Sequence, residues 1–452
     1  MSQERVNFGS KLGMILATAG SAVGLGNVWR FPYMTGQNGG AVFIFVYIAC
    51  VVVLGLPCMM NEFIIGRHGA ANTGRAYGRM GAHGMWRIVG CMSVLTGFLI
   101  TGYYAVVSGW CLQYTFASAF GELSGTPDYV AQYFNDFSSS PVKPVFWTVA
   151  ILVATHFVII HGVRSGIERA SKLMMPTLFL LLLVVVVGSC MLPGAQKGIE
   201  FLFRPDFSKF TSSTFLAAMG QAFYSLSIGM GCICTFASYF SRQANLMKSA
   251  VNIVLIDSLI AILAGLMIFP AAFSVGVNPD SGPSLIFITL PNVFREAFAA
   301  MPLLGTVIAT GFYVLLSLAA LTSLISLHEV STAFFYEELH TSRHKAATLV
   351  TVSCCVMGAF CSLSIGGRDW LIFGGKSLFD IFDFVTGQIF LPIVGFVSCI
   401  FMGWVVPRGI VKDEFTNWGT LRSTFFGIYM LLIRYVCPVC IVAIFLNQIG
   451  VI

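Results

Sequence analysis

Charge is what this sequence has least of: Asp, Glu, Lys and Arg make up 10% of its 452 residues, against about a quarter in an ordinary soluble domain. With 57% hydrophobic residues, the chain cannot coat a soluble globule, and an all-α polytopic membrane protein is expected. A basic patch is missing too. The formal charge is +6, but the basic residues are spread over loops, which leaves nucleic acid no surface to hold. No HExxH, GxSxG or other metal or nucleophile signature occurs, which argues against an intramembrane enzyme, and His340 with His344 reads as a solvated pair in a charged loop. The 13 cysteines lie almost wholly inside apolar segments, where they behave as small packing residues. Cys437-Pro-Val-Cys440 lacks a polar activating neighbour, so no redox role is expected of it. The first apolar segment is too long for a signal peptide and has no small-residue cleavage site, so it is expected to stay as a membrane helix.

What is present in abundance is apolar stretches long enough to cross a bilayer. They run near 10–37, 41–68, 86–120, 144–161, 167–191, 213–240, 244–274, 304–337, 344–364, 375–404 and 423–449. Eleven transmembrane helices put the termini on opposite sides. Arg67, Arg75, Arg79, Arg164, Lys172, Arg242, Lys248, Arg343 and Lys345 fall on the amino-terminal side, which makes that side cytoplasmic and the carboxyl terminus external.

The first of these segments is poor helix. Thr18 to Pro32 reads TAGSAVGLGNVWRFP and places Gly20, Gly24 and Gly26 within seven positions, followed by Asn27 and Arg30. Each glycine costs about 1 kcal/mol relative to alanine in a helix interior. Gly20-x-x-x-Gly24 alone could be a close helix-packing motif, and GLGNVW lacks the preceding strand and third glycine of a dinucleotide loop. Asn27 and Arg30 favour a helix that breaks in mid-membrane beside a polar pathway, because such side chains at that depth face a bundle interior. A second interruption follows at 220–231, GQAFYSLSIGMG, in the sixth segment, five after the first. Two broken helices at matching places predict a 5+5 inverted repeat, about 10–191 and 213–404, with the binding site between the breaks and an extra helix at 423–449.

GSAVGLGNVWRFP at 20–32, NGG at 38–40, GIERASKLMMPTL at 166–178, SLSIGMG at 225–231, FITLP at 287–291 and ALTS at 320–323 give the chain its resemblance to the neurotransmitter:sodium symporter family, bacterial branch. The resemblance runs from Arg5 to the last helix. It implies a leucine-transporter-like fold with helices 1 and 6 unwound, although many members have a twelfth helix. The single domain of 1–452 would sit in a bacterial inner membrane. It would import substrate with sodium by alternating access, helices 1, 2, 6 and 7 rocking against the remainder. An amino-acid-binding receptor or channel on the same fold is the alternative, and the oligomeric state stays open.

Carried over by residue, the resemblance implies two sodium sites. The first would use Ala22, Asn27, Ser225 and Asp257, and the second Gly20, Val23, Ala319, Thr322 and Ser323. Substrate would lie at Ala22, Gly24, Gly26, Tyr104, Tyr224, Ser225 and Ser227, its side chain among Ile100, Met230, Leu324 and Leu327. Gly24 stands where amine-carrying relatives have aspartate, which favours an amino acid with its own carboxylate. No charged group lines the side-chain pocket, so neutral apolar L-amino acids, aromatic and large aliphatic, are expected, and Met230 is adaptable enough to admit a range of sizes. Arg30 with Asp383 would form the external gate, under Tyr224 and near Asp380, and Arg5 with Glu337 the cytoplasmic one, near Ser238 and Tyr239. Glu62 would tie helix 2 to amides of both breaks. Gly166 and Pro176 mark a stretch of helix 5 where relatives unwind, or else a plain proline kink. Animal relatives bind chloride among tyrosine, glutamine, serine and asparagine; here the set is Tyr47, Gln221, Ser225 and Asp257. The carboxylate implies chloride independence, with proton return on an emptied site. For His328 and Glu329 the resemblance implies no role.

Overall fold

The computed structural model describes residues 7–80, 84–276, 285–366, 369–422 and 424–451. All eleven apolar segments are helical there. Nine are single helices long and apolar enough to cross a bilayer: Ala41–Gly69, Gly84–Ala119, Lys143–Ile160, Val163–Cys190, Leu246–Ser274, Pro302–Glu338, Arg343–Ile365, Leu378–Val405 and Phe426–Gln448. The first span, Lys11–Ala22 plus Gly26–Gln37, bends by 55° at its break and makes ten. The sixth segment falls short of that criterion because it is divided into Ser212–Ser225 and Cys232–Ala237, of 14 and 6 residues.

Both breaks have local causes. At the first, Val23 turns to an extended conformation (φ −73°, ψ 105°), and the Gly24 amide donates to Asn27 Oδ1 at 3.1 Å instead of to a helical carbonyl. The chain then resumes in a wide turn in which the Phe31 amide reaches back to the Gly26 carbonyl. At the second, Ser227, Gly229 and Gly231 all have positive φ, of 54°, 88° and 80°. Glycine adopts that region freely. Ser227 does not, and it is held there by its hydroxyl, which donates to the Ser21 carbonyl of the first span at 2.8 Å.

Spans three and eight make the most extensive helix–helix contact of the molecule, and span three is knitted to spans four and nine through glycines. A Cβ on Gly358 would stand 2.9 Å from Thr148 Cγ2 and 3.0 Å from the Gly102 carbonyl oxygen, and one on Gly109 would stand 2.7 Å from the Thr148 amide nitrogen. Small residues let backbones approach in this way where lipid supplies no hydrophobic drive between helices. Leu180, Val184 and Val187 of span five, Leu255 and Leu259 of span seven, and Leu349, Val352 and Val356 of span nine are exposed apolar residues at helical spacing, the stripes that face lipid.

Span two packs so closely on the second half of the sixth segment that a Cβ on Gly66 would collide with the Cys234 carbonyl oxygen. Gly66→Ala is therefore expected to destabilise the protein by about 1–3 kcal/mol through overpacking, read as a lower melting temperature in detergent. Gly427→Ala, with nothing within 4 Å of the added methyl, should leave it unchanged or slightly raised.

Candidate functional site

Asn27 starts the site. It lies in the wide turn Gly26–Arg30 and is fully buried. Its amide nitrogen donates to Asp257 Oδ1 at 2.7 Å, Ser225 Oγ at 3.2 Å and the Asp257 carbonyl at 3.2 Å. Asp257, from the middle of span seven and 0% exposed, also accepts from Ser225 Oγ at 2.9 Å and from Tyr47 OH at 3.3 Å, both on Oδ2. Four elements thus converge on one carboxylate. Gln221 joins them from the sixth segment, donating to the Gly26 carbonyl at 3.3 Å, while its own side-chain oxygen is buried without a partner. Such a set offers oxygens rather than sulfur or imidazole, the donor type a hard cation takes.

The second cluster sits on the other side of the first break. Thr322 Oγ1 is 3.4 Å and Ser323 Oγ 3.3 Å from the Val23 carbonyl, and Thr322 Oγ1 donates to the Ala319 carbonyl at 2.9 Å. Gly20 faces Thr322, with its would-be Cβ at 3.4 Å from the threonine Cβ. Span eight therefore brings its hydroxyls against the unwound turn, and all five residues of this cluster are gathered in one place. Of the expected sodium sets, the fold brings together Asn27, Ser225 and Asp257 in the first and Thr322, Ser323, Val23, Ala319 and Gly20 in the second.

Between the clusters, Gly24 is open only because it has no side chain: a Cβ would stand 2.5 Å from Ser323 Oγ and 3.1 Å from Tyr104 OH. The Leu25 amide donates to Tyr104 OH at 3.1 Å. Gly26 lies under Tyr224, whose ring would be 3.5 Å from an added Cβ. Ile100, Met230 and Leu327 are buried members of one apolar cluster. Leu324 packs with Ala105, Ile151, Leu152, Val350 and Cys354, a cluster against which Tyr104 also packs.

Arg30 and Asp383 form no ion pair; the Arg30 guanidinium lies over the Tyr224 ring with its carbon 4.4 Å from the centroid, and Asp383 is exposed. The aromatic face holds the guanidinium, while Asp383 takes the Tyr103 hydroxyl and still feels the charge of Arg30. Asp380 caps its own helix, accepting from Ser377 Oγ at 2.6 Å. Arg5 lies outside the described residues. Glu337 accepts from the Asn72 amide at 2.8 Å and from its side chain at 2.9 Å, and Ser238 donates to the Thr235 carbonyl. Tyr239 donates to the fully buried Glu329 at 2.7 Å, and Arg343 clasps the same carboxylate at 2.5 and 3.0 Å. This contact, at the end of the molecule near the amino terminus, is one that the sequence did not reveal, because nothing local to Glu329 names a partner fourteen residues on and another in the sixth segment. His328 bonds Thr332 at 3.0 Å and Thr351 at 2.8 Å, and Thr351 also meets His156 at 2.9 Å. Glu62 serves the second break alone, accepting from the Gly229 and Cys234 amides at 2.6 and 3.2 Å. Between Gly166 and Pro176 the chain is helical here, entered through the wide turn Val163–Glu168.

The model of the sodium:neurotransmitter symporter family matches this chain over residues 5–135 and 128–452. An uncharacterized sodium-dependent transporter of Bacillus subtilis, YhdH, is 36% identical over 452 residues, 99% of each chain. A second uncharacterized sodium-dependent transporter, from Haemophilus influenzae, is 34% identical over 460 residues, again 99% of each. Among solved structures, that of MhsT in complex with L-phenylalanine is 38% identical and superposes with a TM-score of 0.88 over 98% of this chain and 100% of that one. With its broken first span, its interrupted sixth segment and the oxygen clusters beside them, the chain belongs to the sodium:neurotransmitter symporter family, whose members are membrane transporters and not enzymes.

Proposed function

We propose that this protein is a sodium-coupled symporter importing neutral apolar L-amino acids, aromatic and large aliphatic, by alternating access and without chloride. Sodium-coupled amino-acid transport is what the family and the likeness to MhsT with L-phenylalanine support. The observation that carries the finer reading is the pair of oxygen clusters on the two sides of one unwound turn, with Gly24 kept bare between them. In this reading two sodium ions occupy the clusters. The substrate carboxylate lies at Gly24, Gly26 and Tyr104, its ammonium at Ala22, Tyr224, Ser225 and Ser227, and its side chain among Ile100, Met230, Leu324 and Leu327. Backbone amides at the ends of half-helices suit the anionic group and exposed carbonyls the cationic one. Each ion shifts the conformational balance only by its difference in affinity between the two states. The repeats are assigned to 10–191 and 213–404 with the sixth segment as a span. The protein would sit in a bacterial inner membrane, its amino terminus cytoplasmic and its carboxyl terminus external.

Chloride independence rests on Asp257. Its carboxylate already receives the hydroxyls of Ser225 and Tyr47, the donors that a bound anion would need. An ionised carboxylate about 4 Å from a cation attracts it by roughly 4 kcal/mol at an effective dielectric near 20, before desolvation. Once sodium leaves, a proton can take its place on the return step.

Ser323→Ala removes one oxygen from the second cluster. At roughly 1.5–3 kcal/mol for a contact to a charged group, half-saturating sodium should rise about ten- to a hundredfold, measured as uptake into proteoliposomes against sodium concentration. Full concentrative uptake in potassium or choline would refute sodium coupling altogether.

Replacing chloride by gluconate at fixed sodium and pH should leave wild-type uptake unchanged, whereas Asp257→Asn should weaken sodium binding and make uptake respond to chloride. A collapse of wild-type uptake in gluconate would contradict the built-in anion.

Competition by the twenty amino acids against labelled phenylalanine should rank leucine, phenylalanine, tyrosine and tryptophan as strong competitors and leave glycine and proline weak. The reverse ranking would remove the apolar pocket from the account. Counterflow of label separates transport from a receptor, which binds without exchange.

A further inference from the structure

A cavity of about 270 Å³ lies at the end of the molecule opposite the amino terminus, away from both breaks. Three stretches wall it: the turn after span three around Leu123, the short helix Leu290–Ala297 with Phe298, and the start of span eight up to Tyr313. Most of the wall is apolar, with Phe294, Phe298 and Ala309 among the contributors. One cation enters it. Arg295, a side chain 36% exposed, lines the cavity; its Nε is buried without a hydrogen-bond partner, and among the described residues its Nη2 meets the neighbouring Glu296 at 3.6 Å, a side chain 48% exposed. Among the described residues, no acidic side chain lines the cavity. Glu122, close by in sequence, is exposed and accepts from Tyr133 OH at 2.8 Å.

We propose that this cavity is a second ligand site, for a small monocarboxylate with an aryl or alkyl body and no amino group. A guanidinium left with unspent donors at the rim of an apolar slot calls for an anion, which it binds through two parallel N–H bonds when the anion is a carboxylate. The apolar wall calls for a body that leaves water. An amino acid is disfavoured, because its ammonium would find no acid and would be buried unpaired. The volume is below the usual range of drug-sized pockets and fits a molecule no larger than one ring with a short acid chain. Such a ligand joins the short helix Leu290–Ala297 to spans three and eight, and so braces the loop that overlies Trp110 and Tyr114 through Phe287.

The test uses the full-length purified protein and labelled 3-phenylpropionate, which is phenylalanine without its amino group. Saturable binding is expected. It should persist under saturating L-phenylalanine, be absent for 3-phenylpropionamide, weaken about tenfold or more in Arg295→Gln, be partly restored in Arg295→Lys, and vanish when Ala309→Phe fills the slot. Displacement by L-phenylalanine would place the probe in the central site and overturn the proposal. Equal binding of acid and amide, unchanged affinity in Arg295→Gln, or no saturable binding at millimolar probe would overturn it as well. The acid-against-amide and phenylalanine arms need only wild-type protein, so they decide the question even where a variant misfolds. Failure of the central-site reading would show instead as absent phenylalanine binding, with the Arg295 arm intact.

Discussion

Everything in this fold follows from the rule that backbone groups inside a bilayer need partners. A helix satisfies them internally, and this chain interrupts two helices in mid-membrane, at Val23–Gly24 and at 226–231. The freed groups are then taken by side chains from elsewhere: Asn27 on the Gly24 amide, Glu62 on the Gly229 and Cys234 amides, Ser227 on the Ser21 carbonyl, Ser93 on the Gly229 carbonyl at 3.0 Å. The carbonyls that remain, such as that of Val23, face hydroxyls which share them weakly at 3.3 and 3.4 Å. Contacts of that length are easily given up to a cation. The polar site is thus the remainder of a backbone accounting, and it lies where the two breaks approach each other.

Much of this could be read from the residues. Glycine clusters with Asn and Arg in an apolar segment announced the first break, and the repetition five segments later announced the second. The convergence of Asn27, Ser225 and Asp257 was legible through the family resemblance, since three residues on three helices leave no mark in local periodicity. What escaped was the nearest neighbour of Arg30: a guanidinium has two kinds of attractor, a carboxylate and an aromatic face, and here the Tyr224 ring is the one in contact. Which of the two lies nearer is not something sequence carries.

The end of the molecule near the amino terminus shows the same limit from the other direction. Glu329 and Arg343 are far too distant in sequence for helical pairing, yet they form an ion pair with Glu329 completely buried. Removing one partner of such a pair leaves a charge stranded in a low-dielectric place. Tyr239 adds a third attachment, from the end of the sixth segment. Spans eight and nine and the second half of the broken segment are joined there, so any movement that separates them has to part a desolvated contact.

The glycines of the spans-three, -four and -nine junction have a consequence for how the sequence can drift. Thr322 and Ser323 stand on span eight, and span eight leans most heavily on span three, whose own position is set where Gly102, Gly109 and Gly358 let main chains touch. Main chain against main chain leaves no rotamer to absorb an error. The lipid-facing stripes can therefore exchange one apolar residue for another almost freely, while the ruler against which the Thr322 and Ser323 hydroxyls are set beside the first break stays frozen on a neighbouring helix.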